Sequence, residues 1–266
     1  MKNHCYNNYY NSEKDADMMK IGMRAIEVEA NNLETSYKIS ETLLFTDKKN
    51  FLIFKKINKC FAFIVGIIPI ICSIFLFVLP NLLVNLFCGF LIYSPYYIEK
   101  KFHIVILEEF RFMITFHTML HSVFGKTLHF YDKYPLYDSF LHFLGGGLIA
   151  LVVITVVLSS ELHYSKHTKH GIKLKTDVFT FGFVNTAGVA WEILEFTGDL
   201  IFRGTPGYRL AQEDSLFDTM TDLIENNFGA LFAIFVFWKF IKHNEKKGRD
   251  MMLLFKQVIP EPEKAY

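Results

Sequence analysis

Residues 61–79 contain no charged side chain and are apolar throughout. At about 1.5 Å of helical rise per residue, such a run crosses the roughly 30 Å hydrocarbon core of a bilayer. In lipid every backbone amide must be satisfied within the chain, so the segment is predicted to be a membrane-spanning α-helix. Pro80-Asn81 reads as a tight turn, and residues 82–98 return across the membrane, ending at Glu99, Lys100 and Lys101. Composition supports a chain of this class along its whole length. Hydrophobic residues make up 52% and charged residues 21%, Phe alone occurs 29 times, and the mean hydropathy is +0.24. These values exclude a disordered chain and a disulfide scaffold. The net charge of +1 gives no reason to expect a nucleic-acid partner. Cys5, Cys60, Cys72 and Cys88 show no CxxC or Cys/His ligand spacing and read as small hydrophobes.

Four further spans follow. Residues 102–124 are apolar but carry Glu108, Glu109, Arg111, His117 and His121. Residues 139–159 are almost purely apolar, and residues 177–202 and 216–238 carry acids that only a bundle interior can hold. The expected fold is therefore all-α: a polytopic integral membrane protein with a six-helix transmembrane bundle. The spans occupy residues 60–242, between a partly helical cytosolic tail at 1–59 and a cytosolic tail at 243–266. Ser12 is placed to cap a short helix through Met18, Ile21, Ala25 and Val28. Lys and Arg near the span ends set the orientation: sixteen fall on the side of the termini and four, Lys126, Lys133, Arg203 and Arg209, on the other. By the positive-inside rule both termini are cytoplasmic and the chain sits in the inner membrane. Adding or removing one span scrambles this split.

With that topology the polar residues of four spans fall at one depth. Asp138 and His142 are one turn apart near the outer end of the fourth span, followed by Gly145-Gly146-Gly147, which let another helix approach. Glu192, Glu195 and Asp199 share one face of the fifth span. Asp214, Asp218, Asp222 and Asn226 form a stripe leading into the sixth, and His117 and His121 lie near the outer end of the third. Glu192, Glu195, Asp199, Asp218 and Asp222 cannot all share a low-dielectric site as free anions. Protons, basic partners, water or a cation must compensate them, and a divalent metal with oxygen and imidazole ligands does so directly. Asp138 and Asp218 equally suit helix capping at a water interface. Glu108 and Arg111, three residues apart, read as an internal ion pair.

Three blocks, Tyr137-Asp138-x-x-Leu141-His142-x-x-Gly145-Gly146, Trp191-Glu192-x-x-Glu195-Phe196 and Gln212-x-Asp214-x-x-x-Asp218-x-x-x-Asp222 with Gly229-Ala230 behind, occur in order. Together they resemble the bacterial YjdF-type membrane-spanning family and, more distantly, the VanZ-like group. Ser139 stands where VanZ-like proteins often have Lys. The resemblance covers residues 132–233 and implies a multi-pass inner-membrane protein. Its VanZ-like arm, associated with glycopeptide-antibiotic resistance, implies an envelope role without naming a reaction.

Three functional readings stay open. In the first, the chain is an outer-leaflet enzyme acting on a lipid-linked or envelope substrate. Asp138, His142, Asp218 and Asp222 hold a divalent metal ion, Glu192 or Glu195 is the base, His142 is a ligand or acid, and Arg203 and Arg209 bind a phosphate. In the second, it is a structural or partner-binding membrane protein. In the third, it is a cation or small-solute transporter, a reading opposed by the apolar cytoplasmic halves of spans four to six.

Overall fold

The computed structural model describes residues 30–41, 47–75, 79–102, 104–164, 169–206, 208–213 and 215–259. Among them the chain is helical with no strand. A helix at 30–41 (α1) precedes α2 (Lys48–Phe75), α3 (Leu79–Phe102) and α4 (Glu108–Met119). The last continues into a π-helical segment (Leu120–Thr127), and a single turn follows, α5 (Phe130–Lys133). Two long hydrophobic helices and their intervening partner come next: α6 (Tyr137–Tyr164), α7 (Lys169–Phe202) and α8 (Leu216–Lys246), then the short α9 (Met251–Lys256). Four of these, α2, α3, α6 and α8, are long and apolar enough to cross a membrane. The expected capping helix at Ser12 and residue Asp214 lie outside the described residues.

Several boundaries differ from the sequence reading. Pro80 is not in a turn; it lies in the first turn of α3, where a missing N–H leaves no hydrogen bond unmade. The span expected over 102–124 is broken. Residues 104–107 are not helical, Val105 N–H donates to Val258 O at 2.9 Å, Leu107 is extended, and α4 begins only at Glu108. α2 starts at Lys48, well inside the segment read as a polar tail, because Asp47 caps it through Asn50 N–H at 2.9 Å. At the other end α8 passes residue 242, and α9 docks instead of trailing free: Met251, Phe255 and Val258 are buried with Ile39, Ile154, Leu158, Phe237 and Ile241. This apolar cluster closes one end of the α6/α8 pair.

The charged residues of α4 are absorbed into packing. Arg111 pairs with Glu99 and lies 3.7 Å from Glu108, and Asn58 Nδ2 donates to Glu108 Oε2 at 3.1 Å. Glu108 and Arg111 are both 2% exposed, as the ion-pair reading requires. Removing one member strands the other charge, which costs about 3–5 kcal/mol. Arg111→Leu is therefore expected to lower thermal stability by that amount, measured by unfolding in detergent, whereas a paired Glu99→Leu/Arg111→Leu change recovers part of it.

The tightest helix crossing sets the position of the site. α6 and α8 meet where Gly146 faces Asn226 and Gly229 faces Phe143. A Cβ on Gly146 would lie 2.2 Å from Asn226 O, and one on Gly229 would lie 2.0 Å from Phe143 O. Small residues let the two backbones touch, which is how helices associate in lipid without a hydrophobic drive between them.

Candidate functional site

That contact aligns two helical turns. On α6, Asp138 and His142 stack one above the other; on α8, Asp222 and Asn226 do the same. Crossing at Gly146 and Gly229 brings the pairs face to face. His142 Nε2 lies 3.5 Å from Asp138 Oδ1 and 3.6 Å from Asp222 Oδ2. Its Nδ1 is 3.3 Å from Asn226 Nδ2. Gly188 on α7 leaves room for the Asn226 amide, since a Cβ there would lie 3.2 Å from Nδ2. α7 supplies the third wall with Glu192 and Glu195.

Ligand-type atoms fall into two groups, each within 4.8 Å: Asp138, His142 and Asp222, and His142, Glu192 and Glu195. His142 is common to both. His142, Glu192 and Asp222 are buried at 8%, 5% and 2% exposure, so the one imidazole faces several carboxylates with little water between them. The amide–imidazole contact has a chemical consequence. With Asn226 Nδ2 donating, Nδ1 is the acceptor and Nε2 carries the proton toward the aspartates. With the amide reversed, Oδ1 accepts Nδ1–H and the Nε2 lone pair is free for a cation.

Other expected residues separate from this centre. Asp199 shares the face of Glu192 in sequence, but its carboxylate turns to the loop after α7. It accepts from Tyr208 Oη at 2.8 Å, Ala211 N–H at 2.8 Å and Gln212 N–H at 3.0 Å. Gln212 Nε2 in turn donates to Glu192 O at 3.2 Å, so the loop folds back over the acid. Asp199→Ala is expected to free this loop. Losing three hydrogen bonds to a charged acceptor costs on the order of 3 kcal/mol, and limited proteolysis should cut within 203–215 where the parent resists.

Asp218 stands in the first turn of α8, outside both ligand groups, and Ser215 rather than Asp218 caps that helix. Arg209 and Arg203 do not converge. Arg209 donates to Asp132 Oδ1 at 3.0 Å, pairs with Glu213 and lies over Tyr131. Two carboxylates already engage it, which argues against its expected role as a phosphate ligand. Arg203 lines a different cavity.

Two cavities flank the cluster. One, of about 100 Å³, is lined by Asp138, Glu195, Lys126, His121, Tyr131 and Arg209 among others. Lys126, read in the sequence only as a topology marker, thereby joins the polar set, and His121 Nδ1 lies 2.6 Å from Tyr131 Oη. The π-helical segment turns both side chains inward. The second is an open groove of about 580 Å³ between α7 and α8, lined by Glu192, Asp199, Arg203, Thr219 and an apolar rim. The two cavities share no lining residue, and Glu192 and Glu195 occupy opposite sides of the same centre.

A helical membrane protein with a buried acid–histidine centre at one helix crossing is the class these features define. The chain belongs to the family described as "Predicted membrane protein (DUF2238)", which matches residues 58–243 and so includes all three motif blocks. A Thermotoga maritima protein described as an uncharacterized protein is 35% identical over 132 residues, 50% of this chain and 63% of that protein. The chain thus spans less than two thirds of that relative's length. No solved structure matches it.

Proposed function

We propose that this protein is a bacterial inner-membrane enzyme whose acid–histidine centre binds a divalent cation and acts on a lipid-linked or envelope substrate at the outer leaflet. The observation that carries this reading is the sharing of His142 between two groups of ligand atoms, each within 4.8 Å. Oxygen and imidazole donors at that spacing suit a borderline or hard divalent ion. Asp138, His142 and Asp222 are the ligands, with Asp218 one helical turn before Asp222 on α8. A bound cation would supply an activated water or a polarised oxygen. Glu195, on the cavity side, is placed to hold the proton from that water, and Glu192 to orient the substrate.

Six spans in total accompany this reading. Beside the four long apolar helices, α7 (34 residues) and the 108–127 segment, the latter about 30 Å at helical rise, make the fifth and sixth. The sixteen-to-four basic split then puts residues 1–59 and 243–266 in the cytoplasm. Cysteine labelling in intact cells is expected to modify position 208 from outside and not position 170; the reverse removes the outer-leaflet assignment. A transport reading is disfavoured by the far half of α6 to α8. Its most deeply buried polar groups are uncharged, Thr155, Ser159, Thr176, Thr180 and Asn244, and Thr155, Ser159 and Asn244 bond to their own helix carbonyls. The function test is cation binding: Mn²⁺ titrated into purified protein and followed by its paramagnetic resonance signal should bind one ion per chain. A protein that binds none loses the enzyme reading.

A further inference from the structure

The smaller cavity is walled by charged and polar side chains, and nearly all of them already have partners. Arg209 donates to Asp132 Oδ1 and pairs with Glu213, and His129 Nδ1 lies 3.2 Å from Asp132 Oδ2. Tyr208 donates to Asp199, Tyr131 bonds His121, and Asp138 lies 3.5 Å from His142. The Tyr131 ring also fills the space over Gly125, where a Cβ would lie 2.3 Å from Cε2, so this wall is fixed by packing. Two charges of opposite sign are left over, Lys126 of the π-helical segment and Glu195 of α7. Among the described residues neither makes a hydrogen bond or an ion pair, although ligand-type atoms of His142 and Glu192 come within 4.8 Å of Glu195.

Both residues are half-buried, and neither charged end is among the unpartnered atoms closed off from solvent. The Lys126 ammonium and the Glu195 carboxylate therefore open onto the cavity they line, and they do not pair with each other. An ammonium brings three donors and a carboxylate only acceptors. Away from bulk water each calls for a counterpart. The cavity holds about 100 Å³, well below the roughly 300–1,000 Å³ of sites for drug-sized ligands, so it suits a small polar group and not an acyl chain. A lone anion there would meet Glu195 and Asp138, and a lone cation would meet Lys126. A zwitterion satisfies both ends at once.

We propose that the smaller cavity binds a small zwitterion with a primary ammonium and a phosphate two carbons apart, a phosphoethanolamine group, either free or at the head of a lipid. Its phosphate takes the Lys126 ammonium, a pairing in which lysine acts as a point charge. Its own ammonium donates to one oxygen of Glu195, and the second oxygen keeps the proton role given to that residue. The proposal deepens the enzyme reading by naming the substrate class. Only the substrate role rests on that reading; the binding needs no metal ion.

The test titrates O-phosphoethanolamine into the full-length protein in detergent by isothermal calorimetry. Binding to one site per chain should be at least about tenfold tighter than that of O-phosphocholine, whose N-methyl groups remove the N–H donors, a ratio that corresponds to 1.4 kcal/mol. Ethyl phosphate and ethanolamine, each with one of the two charges, should bind as weakly as O-phosphocholine. Lys126→Met and Glu195→Gln should each lower the affinity at least about tenfold, with thermal unfolding showing that the variants are folded and Lys126→Gln replacing the first should it not fold. Nanodiscs doped with phosphatidylethanolamine separate the two sources. If the lipid headgroup fills the cavity, O-phosphoethanolamine binds more weakly there than in undoped discs; if the free molecule is the ligand, its affinity is unchanged, and either result keeps the site. Equal affinity for O-phosphoethanolamine and O-phosphocholine, unchanged affinity in both variants, or no saturable binding in detergent overturns it. Zwitterion binding by a protein that binds no Mn²⁺ keeps the site and removes the enzyme reading, and Mn²⁺ binding without zwitterion binding does the reverse.

Discussion

Gly229→Val should leave almost no correctly folded protein in the membrane. The glycine Cα sits against the α6 backbone, and a Cβ would lie 2.0 Å from Phe143 O and 2.9 Å from Gly147 N. Both obstacles are main-chain atoms, so no side chain can swing aside. The helices have to separate, and separation also withdraws Asn226 from Gly146 and breaks the His142–Asp222 approach. Overpacking of an accommodating core costs about 1–3 kcal/mol, and a backbone clash at a helix crossing belongs at or above the top of that range. Monodisperse yield after detergent extraction is the measurement. Gly182→Val on α7 is the control, because a Cβ there meets nothing within 4 Å, and its yield should match the parent's. A Gly229→Val protein that extracts and unfolds like the parent would show that the α6/α8 crossing is not formed as described.

The second large effect concerns the centre itself. Asp222→Ala and His142→Ala should each weaken Mn²⁺ binding at least about 100-fold, beyond the 10- to 100-fold typical of losing an outer-shell partner. Asn226→Leu removes such an outer-shell group, the amide on His142 Nδ1, and should fall within that 10- to 100-fold range. Asp218→Ala, outside both ligand groups, should change affinity little. Thermal unfolding of each variant without added cation separates lost ligation from lost folding. If all four variants bind Mn²⁺ like the parent, the ion sits elsewhere and the catalytic assignments of Glu192 and Glu195 go with it.

How far the sequence reveals this arrangement depends on the kind of interaction. Asp138, His142 and Asp222 could be placed together because helical spacing and a common depth are local properties, and the adjacent glycines mark where two helices can touch. The start of α8 at Leu216 was legible as the first apolar residue of the sixth span, whereas its cap was not: Ser215, and not the expected Asp218, accepts from Phe217 and Asp218 N–H. The break before α4 was not legible either. Residues 104–107 are as apolar as a helix there would be, yet they are not helical, and Val258, far along the chain, takes the Val105 amide. Asp199 was drawn to the cluster by its spacing, yet loop amides that no periodicity describes claim its oxygens. α9 likewise hides in the sequence as a short amphiphilic tail, and only the burial of Ile154 and Leu158 beneath it explains its docking.

The π-helical segment makes the rim of the smaller cavity depend on helix type. Leu128 N–H reaches back five residues to Val123 O at 2.9 Å, so this stretch holds one residue more per turn than the helix that leads into it. The direction in which Lys126 points is thus indexed to a residue count, with no bonded partner required to hold it. Were this turn to relax to ordinary α geometry with its residue count unchanged, everything after it would rotate by about 100°, the angle of one residue at 3.6 per turn. Every amino acid of the rim would remain in the chain, yet Lys126 would turn away and leave Arg209 as the cation of the cavity wall.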